Sequence, residues 1–446
     1  MASLSNNEAP GNSKTVSSDH HYVVVSSDNH AGADLYGYKP YLDQKWHEEF
    51  DAWANQYSNP WDFVEVRANR DGFELETEEV LTGAASWHSK LNWEGGRRLE
   101  HMDADGVAAE VIFPNTAPPF MPGSVLAGRE PENRAEYERR WAGLQAHNRW
   151  LADFCASAPN RRAGIAQVML WDIDDAVAEV RTIKDLGLIG GILLPMDSPF
   201  GQSNPLYVTD LEPFWRVCAE LDVPIHKHCS APPELPYADR AGPGVVAIGF
   251  AERQFYNHRA VAQLIFSGVL ERYPSLKIIF SESGSGWVPG HLKNLDAMYH
   301  SGRDAASLLG FLAPVMTSLS LSPSEYFARN FYLGASLFLP SEAAMRYEIG
   351  VDRIMWGVDY PHSEGTFPYS REAIALTFAD VPPAEVQQML GGTAVRVFGF
   401  DGAALQAIAD KVGPTVAEVR AGAQSLPKFP QETLSPVFSH TLLADR

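Results

Sequence analysis

The stretch Val351-Asp-Arg-Ile-Met-Trp-Gly-Val-Asp-Tyr-Pro-His362 is the most informative part of the chain. Its apolar run, residues 354–358, predicts a buried β-strand that ends at Asp359, with Pro361 preventing its continuation. Burial of an unpaired carboxylate is strongly unfavourable, so Asp359 needs a partner such as a metal ion or another cation. The alternative is an aspartate at a loop edge that caps the next helix.

Seven more apolar segments precede this strand, and most of them are separated by helical patterns. Such alternation predicts parallel strands. Eight strands fit a closed (β/α)8 barrel of the TIM type, which needs about 250 residues, better than an open doubly wound sheet, which is the alternative fold. The earlier strands are predicted at 21–27, 108–113, 163–170, 189–194, 223–228, 276–281 and 331–335. Helices are predicted at 99–106, 134–157, 172–186, 211–221, 257–273, 324–330, 340–349, 372–378 and 383–398.

Composition and charge narrow the class of protein. Of the 446 residues, 45% are apolar and 20% are charged, as in soluble globular proteins. The net charge of −21 argues against a nucleic-acid partner or an anionic membrane surface. No apolar run is long enough to span a membrane. The three cysteines provide no disulfide framework, which favours a reducing, cytoplasmic location.

The domain organisation predicted from the sequence has three parts. Residues 1–20 are polar and predict a disordered leader. Residues 21–400 contain the barrel, with an aromatic-rich insertion at 31–100, and residues 401–446 add a helix and a tail. The five tryptophans of the insertion either form a wall for an apolar ligand or pack as an ordinary core. The residues predicted to contact substrate are Trp87, Trp93, Trp287 and Arg98.

Ionisable residues stand at four of the predicted strand ends, where barrel enzymes carry their catalytic groups. Mixed nitrogen and oxygen ligands suit zinc, iron or manganese. A set of six residues exceeds the three protein ligands of a catalytic zinc, so it indicates either two metal ions or one metal with separate acid and base groups. His226 is predicted to be a hydrogen-bonded core histidine instead. The six candidate metal ligands are Asp28, His30, His228, Glu282, Asp359 and His362.

Five sequence motifs resemble the amidohydrolase superfamily, in the branch that includes aminocarboxymuconate-semialdehyde decarboxylase and related nonoxidative decarboxylases and hydratases. The resemblance covers most of residues 22–400. It implies a metal-binding (β/α)8 barrel, often a homodimer, with Asp28, His30, His228 and Asp359 as metal ligands. The motifs are Ser27-Asp-Asn-His30, Met102-Asp-Ala-Asp-Gly-Val-Ala-Ala-Glu-Val-Ile112, Val223-Pro-Ile-His-Lys-His228, Lys277-Ile-Ile-Phe-Ser-Glu-Ser-Gly-Ser-Gly-Trp-Val-Pro289 and Trp356-Gly-Val-Asp-Tyr-Pro-His362.

The chain departs from the decarboxylase pattern at two positions. Those enzymes usually carry a catalytic histidine at the end of strand six, where this chain has Glu282. His362 adds a donor beside Asp359, so Glu282 and His362 together would complete a second metal site. In this respect the chain is similar to the nonheme diiron monooxygenase type that occurs on this fold in diterpenoid antibiotic biosynthesis.

These departures favour an oxygen-activating enzyme with two iron ions, which uses dioxygen to hydroxylate a large apolar, terpenoid-like small molecule in secondary metabolism. The second hypothesis is a hydrolase, hydratase or nonoxidative decarboxylase that uses a single zinc or manganese ion and acts on a small carboxylic acid. Glu282 and Asp359 are the predicted catalytic residues, and in the second hypothesis they move protons. A binding protein on a degenerate barrel is the remaining alternative.

Overall fold

The computed structural model describes residues 16–57, 90–121, 130–195, 205–228, 240, 242, 244–362, 364–422 and 435–438. Eight strands lie side by side in chain order, and each pairs in parallel with the next. The predicted (β/α)8 barrel is therefore confirmed. The strands are β1 (Val25–Ala31), β2 (Ala109–Pro114), β3 (Arg162–Gln167), β4 (Gly191–Leu193), β5 (Ile225–His228), β6 (Ile278–Ser281), β7 (Phe331–Ser336) and β8 (Ile354–Gly357).

The barrel closes where β1 meets the residues that follow β8. The backbone N–H of Asp359 donates to the carbonyl of Asp28 at 2.7 Å, and the N–H of His30 donates to the carbonyl of Tyr360 at 2.7 Å. The Ser26 hydroxyl accepts from the N–H of Val358 at 2.9 Å and so replaces one more ladder bond. This seam places the first and last predicted ligands next to each other.

Helices cover the outside of the barrel. Among the described residues, no helix combines the length and the apolar character needed to cross a membrane. The helices are α1 (His47–Ala54), α2 (Gly95–Asp105), α3 (Arg134–Ala156), α4 (Ile173–Asp185), α5 (Glu212–Glu220), α6 (Val245–Phe266), α7 (Val269–Arg272), α8 (Val288–Arg303), α9 (Ala313–Met316), α10 (Pro323–Asn330), α11 (Pro340–Ala344), α12 (Arg346–Ile349), α13 (Ser370–Phe378), α14 (Pro383–Gln387), α15 (Thr393–Phe398), α16 (Gly402–Val412) and α17 (Val416–Ala421).

The first strand lies further along the chain than predicted. The apolar run before Ser26 suggests a strand at 21–27, but β1 extends to Ala31 because its ladder with β2 continues to Pro114. The register shifts between Ser26 and Asn29, which is where an extra residue is accommodated. Asp28 and His30 therefore lie within a fully buried strand and not in the loop after it.

Two predicted helices are interrupted. The helix predicted at 257–273 begins earlier, at Val245, and Gly268 divides it into α6 and α7 with a backbone φ of +75°. The helix predicted at 383–398 contains a π-helical turn, Gln388–Gly392, between α14 and α15. Gly391 in this turn packs against the carbonyl of Val23, an approach that leaves no room for a Cβ atom.

Successive side chains of each strand point alternately into and out of the barrel, and this gives the protein an inner and an outer apolar core. Val111, Ile165 and Ile279 belong to an apolar cluster inside the barrel, which Phe398 closes at the bottom. The intervening residues, such as Ile278, pack against the surrounding helices. The inner cluster fills the lower barrel, so polar side chains at the carboxyl ends of the strands form the layer above it.

The domain boundaries predicted for the two ends of the chain and for the insertion remain predictions. Of the leader, residues 1–15 lie outside the described residues, as do residues 58–89 of the insertion and residues 423–434 and 439–446 of the tail. In the described part of the C-terminal extension, α16 and α17 pack on their own chain. The carbonyl of Pro414 between them accepts a hydrogen bond from the N–H of Tyr22 at 2.9 Å.

Candidate metal centre

Asp28 and His30 point into the upper barrel from β1. Oδ1 of Asp28 lies 3.3 Å from Nε2 of His228 on β5 and 3.5 Å from Nε2 of His30. Its other oxygen accepts a hydrogen bond from the hydroxyl of Ser336 at the end of β7. Strands β1 and β5 thus bring one carboxylate and two imidazoles together in a buried site, and β7 supplies a hydroxyl to the carboxylate.

Asp359 faces the same space from the end of β8 and is fully buried. Its Oδ1 lies 3.1 Å from Nε2 of His30 and 2.9 Å from Nδ1 of His362. Within the described residues, neither Asp359 oxygen accepts a well-aligned hydrogen bond, and Nε2 of His30 has no hydrogen-bond partner. A buried carboxylate in this state requires a cation close to it.

The side chains therefore fit a divalent metal ion. The described part of the structure contains two groups of three potential metal ligands, and within each group the ligand atoms lie within 4.8 Å of one another. One group is formed by Asp28, His30 and His228, and the other by His30, Asp359 and His362. His30 belongs to both groups, so they describe one continuous centre of three imidazoles and two carboxylates. Such a donor set suits zinc, manganese or iron.

The pKa values of His30 and His362, the two histidines around Asp359, are shifted in opposite directions. The ring of His362 stacks on that of His30 with centroids 4.0 Å apart. Burial and then the nearby His362 hold the pKa of His30 well below its ordinary value, which favours the neutral imidazole that metals bind. Burial lowers the pKa of His362 too, but the negative charge of the nearby Asp359 carboxylate outweighs burial and raises it to about 10. Without a metal, a protonated His362 balances Asp359.

Glu282 lies beside the two ligand groups and belongs to neither of them. Its Oε2 is 3.6 Å from Nδ1 of His228, the ring nitrogen opposite the one that faces Asp28. Burial and then the charge of Asp359 raise the pKa of Glu282 to about 8. The side chain is 17% exposed, so a proton held there exchanges with solvent. The structure thus gives Glu282 the properties of an acid, and its role as a metal ligand stays a prediction.

Glu282 and Asp359 share an unusual backbone conformation. Their φ angles are +51° and +63°, a region that residues other than glycine rarely adopt. Each follows the last residues of a strand, β6 or β8, and the turn redirects the side chain toward the barrel axis. Strained conformations of this kind cost about 1–3 kcal/mol and are concentrated at functional sites.

A buried ion-pair cluster supports the ligand layer from the side. Glu110 on β2 accepts hydrogen bonds from Arg98 on α2, Arg162 on β3 and Asn29 on β1. Nη1 of Arg98 also donates to the carbonyl of His30 at 2.7 Å. Because its guanidinium is fully buried in these contacts, the structure gives Arg98 a positioning role, and the substrate contact predicted for it stays a prediction.

The predicted aromatic contacts are separated in the structure. Nε1 of Trp287 donates to the carbonyl of Gly284 at 2.9 Å, and its ring packs on Phe280, which faces the outer core. Trp93 lines a separate cavity between α2 and α3, and Trp87 lies outside the described residues. A substrate contact by any of these tryptophans remains a prediction. His226, in contrast, is confirmed as a core histidine: its Nε2 lies 2.8 Å from the carbonyl of Gly190.

Sequence analysis missed two polar residues that contact the centre. Ser336 ends β7 and binds Asp28, and Asn115 follows β2 with its Oδ1 3.1 Å from Nε2 of His362. Both stand at strand ends, so the rule that directed attention to Asp28 and Asp359 applies to them as well. They escaped notice because neither side chain is ionisable.

Comparisons with known proteins agree with this architecture. A family model described as Amidohydrolase matches residues 51–400. The gamma-resorcylate decarboxylase of a Polaromonas species is 28% identical over 301 residues, which are 64% of this chain and 85% of the relative. That of a Rhizobium species is 29% identical over 319 residues, 69% of this chain and 87% of the relative. The crystal structure of a manganese-bound 5-carboxyvanillate decarboxylase from Novosphingobium aromaticivorans superimposes with a TM-score of 0.59 at 19% identity, covering 86% of this chain and 99% of the other.

These relatives correct the functional hypothesis favoured by the sequence. The interpretation as a diiron monooxygenase that hydroxylates a large apolar substrate is wrong, because the similar proteins are decarboxylases of aromatic acids and are matched over most of their length. Nothing in them supports a pair of iron ions or dioxygen as a partner. That hypothesis depended on Glu282 as a metal ligand, a role that stays a prediction, since neither ligand group found among the described residues includes it. Since the family model covers well over half of the chain and includes strands β2 to β8, this chain belongs to the amidohydrolase family.

Proposed function

We propose that the protein is a metal-dependent nonoxidative decarboxylase that acts on a hydroxylated aromatic carboxylic acid. The observation that carries this proposal is the buried centre at the barrel rim, in which Asp359 accepts no well-aligned hydrogen bond from any residue that the structure describes. The similarity to gamma-resorcylate decarboxylases over two thirds of the chain supports the choice of reaction and substrate class.

The residues proposed to hold the metal are Asp28, His30, His228 and Asp359, with His362 completing the set. Manganese or zinc suits these donors, and a manganese-bound relative of the same fold supports the first of the two. When bound, such an ion would hold anionic oxygens of the substrate and withdraw negative charge from the ring.

The reaction needs one proton at carbon. The bond between the ring and its carboxylate breaks, carbon dioxide leaves, and a C–H bond forms with a proton from the protein. Glu282 is the proposed donor because its raised pKa of about 8 keeps it protonated at neutral pH. Its partial exposure allows solvent to return the proton after each turnover. Asp359 was also predicted to be catalytic, but its contacts with His30 and His362 favour the role of metal ligand.

The test is carbon dioxide release under nitrogen. Protein loaded with manganese or zinc is incubated with 2,6-dihydroxybenzoate and other hydroxybenzoates, and the product is identified. Glu282→Gln should lower kcat by about 10²-fold or more, because the amide cannot donate a carboxylic proton. Glu348→Gln, the same change at an exposed position on α12, serves as the matched control.

Metal content separates the two roles open to Glu282. If Glu282→Gln keeps the full metal content while losing activity, the side chain acts as the acid. If metal is lost with it, Glu282 is a ligand and the proposed proton donor is wrong. The proposed function as a whole fails if no hydroxybenzoate releases carbon dioxide, or if turnover requires oxygen.

A further inference from the structure

Asn115 links the end of β2 to the metal centre and is 1% exposed. Its Oδ1 lies 3.1 Å from Nε2 of His362. Its Nδ2 donates to Oδ1 of Asn92 at 2.7 Å, and its backbone N–H donates to the carbonyl of Ala31 at 2.9 Å. The backbone and both ends of the amide are therefore held, and the side chain has little freedom to turn.

This arrangement determines which nitrogen of His362 carries a proton. Because Nδ2 of Asn115 is directed at Asn92, the carbonyl oxygen of the amide faces the imidazole. A carbonyl oxygen only accepts hydrogen bonds, so Nε2 of His362 must donate. In the neutral ring the lone pair then lies on Nδ1. Nδ1 is the atom that lies 2.9 Å from Asp359 within the ligand group shared with His30.

The neighbours of Asn115 connect three parts of the barrel rim. Asn92 is itself anchored, because its carbonyl accepts the N–H of Gly32 just after β1 at 3.3 Å. The hydrogen bonds therefore run from the segment after β1, through the end of β2, to the loop after β8. Asp359 and His362 belong to that loop, where the N–H of His362 donates to the carbonyl of Asp359 at 2.9 Å.

We propose that Asn115 is a positioning residue of the metal centre, which selects the tautomer and orientation of His362 that present Nδ1 to the metal. The proposal rests on the metal site of the proposed function and adds a residue to it that touches neither metal nor substrate. Histidine ligands generally donate their second N–H to a fixed acceptor, and loss of that acceptor weakens metal binding.

The test measures Mn²⁺ affinity in the absence of substrate, by titration calorimetry and by the paramagnetic resonance signal of unbound Mn²⁺. Asn115→Leu keeps the side-chain volume but removes the acceptor, and it should weaken Mn²⁺ binding about 10- to 100-fold. Asn115→Asp keeps an acceptor toward Nε2 and should bind Mn²⁺ at least as tightly as the unmodified protein. Asn55→Leu, at an exposed position after α1, is the control.

A double-mutant cycle shows whether Asn115 acts through His362. In a His362→Ala background, Asn115→Leu should cause no further loss of affinity. An equal loss in both backgrounds would mean a general structural role and would overturn the proposal. So would unchanged affinity in Asn115→Leu, or a loss in Asn115→Asp as large as in the leucine variant.

Two further conditions separate the effect of each variant on Mn²⁺ affinity from effects on folding and on activity. Unfolding midpoints in the presence of a chelator show whether each variant is folded before Mn²⁺ is added. If Asn115→Leu does not fold, Asn115→Ser replaces it, since its shorter side chain does not reach Nε2 and the same loss is expected. No substrate is present, so a protein that never releases carbon dioxide would refute the proposed function and leave the result for Asn115 unaffected.

Discussion

At the scale of single residues, the buried carboxylates differ in the groups that compensate their negative charge or bind their oxygen atoms. Glu110 is neutralised by two arginines. Asp359 has two imidazoles nearby and accepts no well-aligned hydrogen bond from the part of the chain that the structure describes, which is the state expected of a carboxylate that binds a cation. Asp105, at the end of α2, is a third case, because it accepts hydrogen bonds from the uncharged hydroxyl and backbone N–H of Ser370.

Asp105 should make the protein less stable as the pH rises. Burial raises the pKa of Asp105 to about 7, although the hydrogen bonds from Ser370 oppose the shift. Between about pH 4 and pH 7 the unfolded chain loses this proton while the folded protein keeps it, so the free energy of unfolding falls as the pH rises through this window. The loss amounts to a few kcal/mol, at about 1.4 kcal/mol for each pH unit.

Asp105→Asn removes this proton and should flatten that part of the pH dependence. Urea unfolding of both proteins between pH 4.5 and 8 gives the comparison. The asparagine variant should gain stability relative to the unmodified protein as the pH increases, because the amide still pairs with Ser370 and has no charge to bury. A difference between the two proteins that does not change with pH would show that Asp105 is ionised in the folded state.

At the scale of elements, hydrophobic periodicity located every strand and most helices, because most strands contain or directly follow a short apolar run. The bounds predicted from this periodicity were wrong where tertiary contacts override the local preference of the sequence. β1 continues past its apolar run since β2 and the loop after β8 provide partners on both sides. The division between α6 and α7 depends on the positive φ of Gly268, which no apolar pattern encodes.

The ion-pair cluster around Glu110 joins β1, β2, β3 and α2, so its loss should affect the whole barrel. Glu110→Gln leaves the buried guanidinium groups of Arg98 and Arg162 without their anion. The expected loss is about 3–5 kcal/mol in the free energy of unfolding, the usual effect of breaking a buried pair. Denaturant unfolding measures it, with Glu138→Gln as the control, since the exposed pair of Glu138 with Arg134 is worth only about 0–1 kcal/mol. An equal effect of both variants would contradict a structural role for the cluster.

At the scale of the whole molecule, the sequence was sufficient to predict the barrel and to select Asp28, His30, His228 and Asp359, which the structure brings together and whose role as metal ligands stays a prediction. The sequence was insufficient to predict which reaction the protein catalyses. Glu282 and His362 are the two residues on which the monooxygenase hypothesis depended, and residue type alone does not distinguish a metal ligand from an acid beside the metal. The relatives that match most of the chain correct the reaction, while the individual roles of Glu282 and His362 stay predictions.

Metal binding should stabilise the entire fold, because the proposed ligands on β1, on β5 and in the loop after β8 meet only in the folded barrel. At a free Mn²⁺ concentration about 100-fold above Kd, the gain is about 2.7 kcal/mol and appears as a higher Tm. The gain should shrink as the pH falls, since protons compete for the same ligand atoms. Scanning calorimetry with and without Mn²⁺ measures it. Asp28→Asn should abolish the gain, whereas Asp43→Asn, an exposed control, should not. Equal stabilisation of both variants would place the ion elsewhere.

The seam between β1 and the loop after β8 has a consequence for biosynthesis. Asp28 and His30 leave the ribosome early, whereas Asp359 and His362 emerge only when the barrel sequence is almost complete. Until then the nascent chain exposes the unpaired edge of β1, and such edges are liable to associate with other chains. The cation can be captured in its complete site only after translation has passed His362. On the proposed metal site, the full set of ligands therefore exists only once the end of β8 has been translated, and a chain truncated before Asp359 would lack both the final proposed ligands and the closed wall.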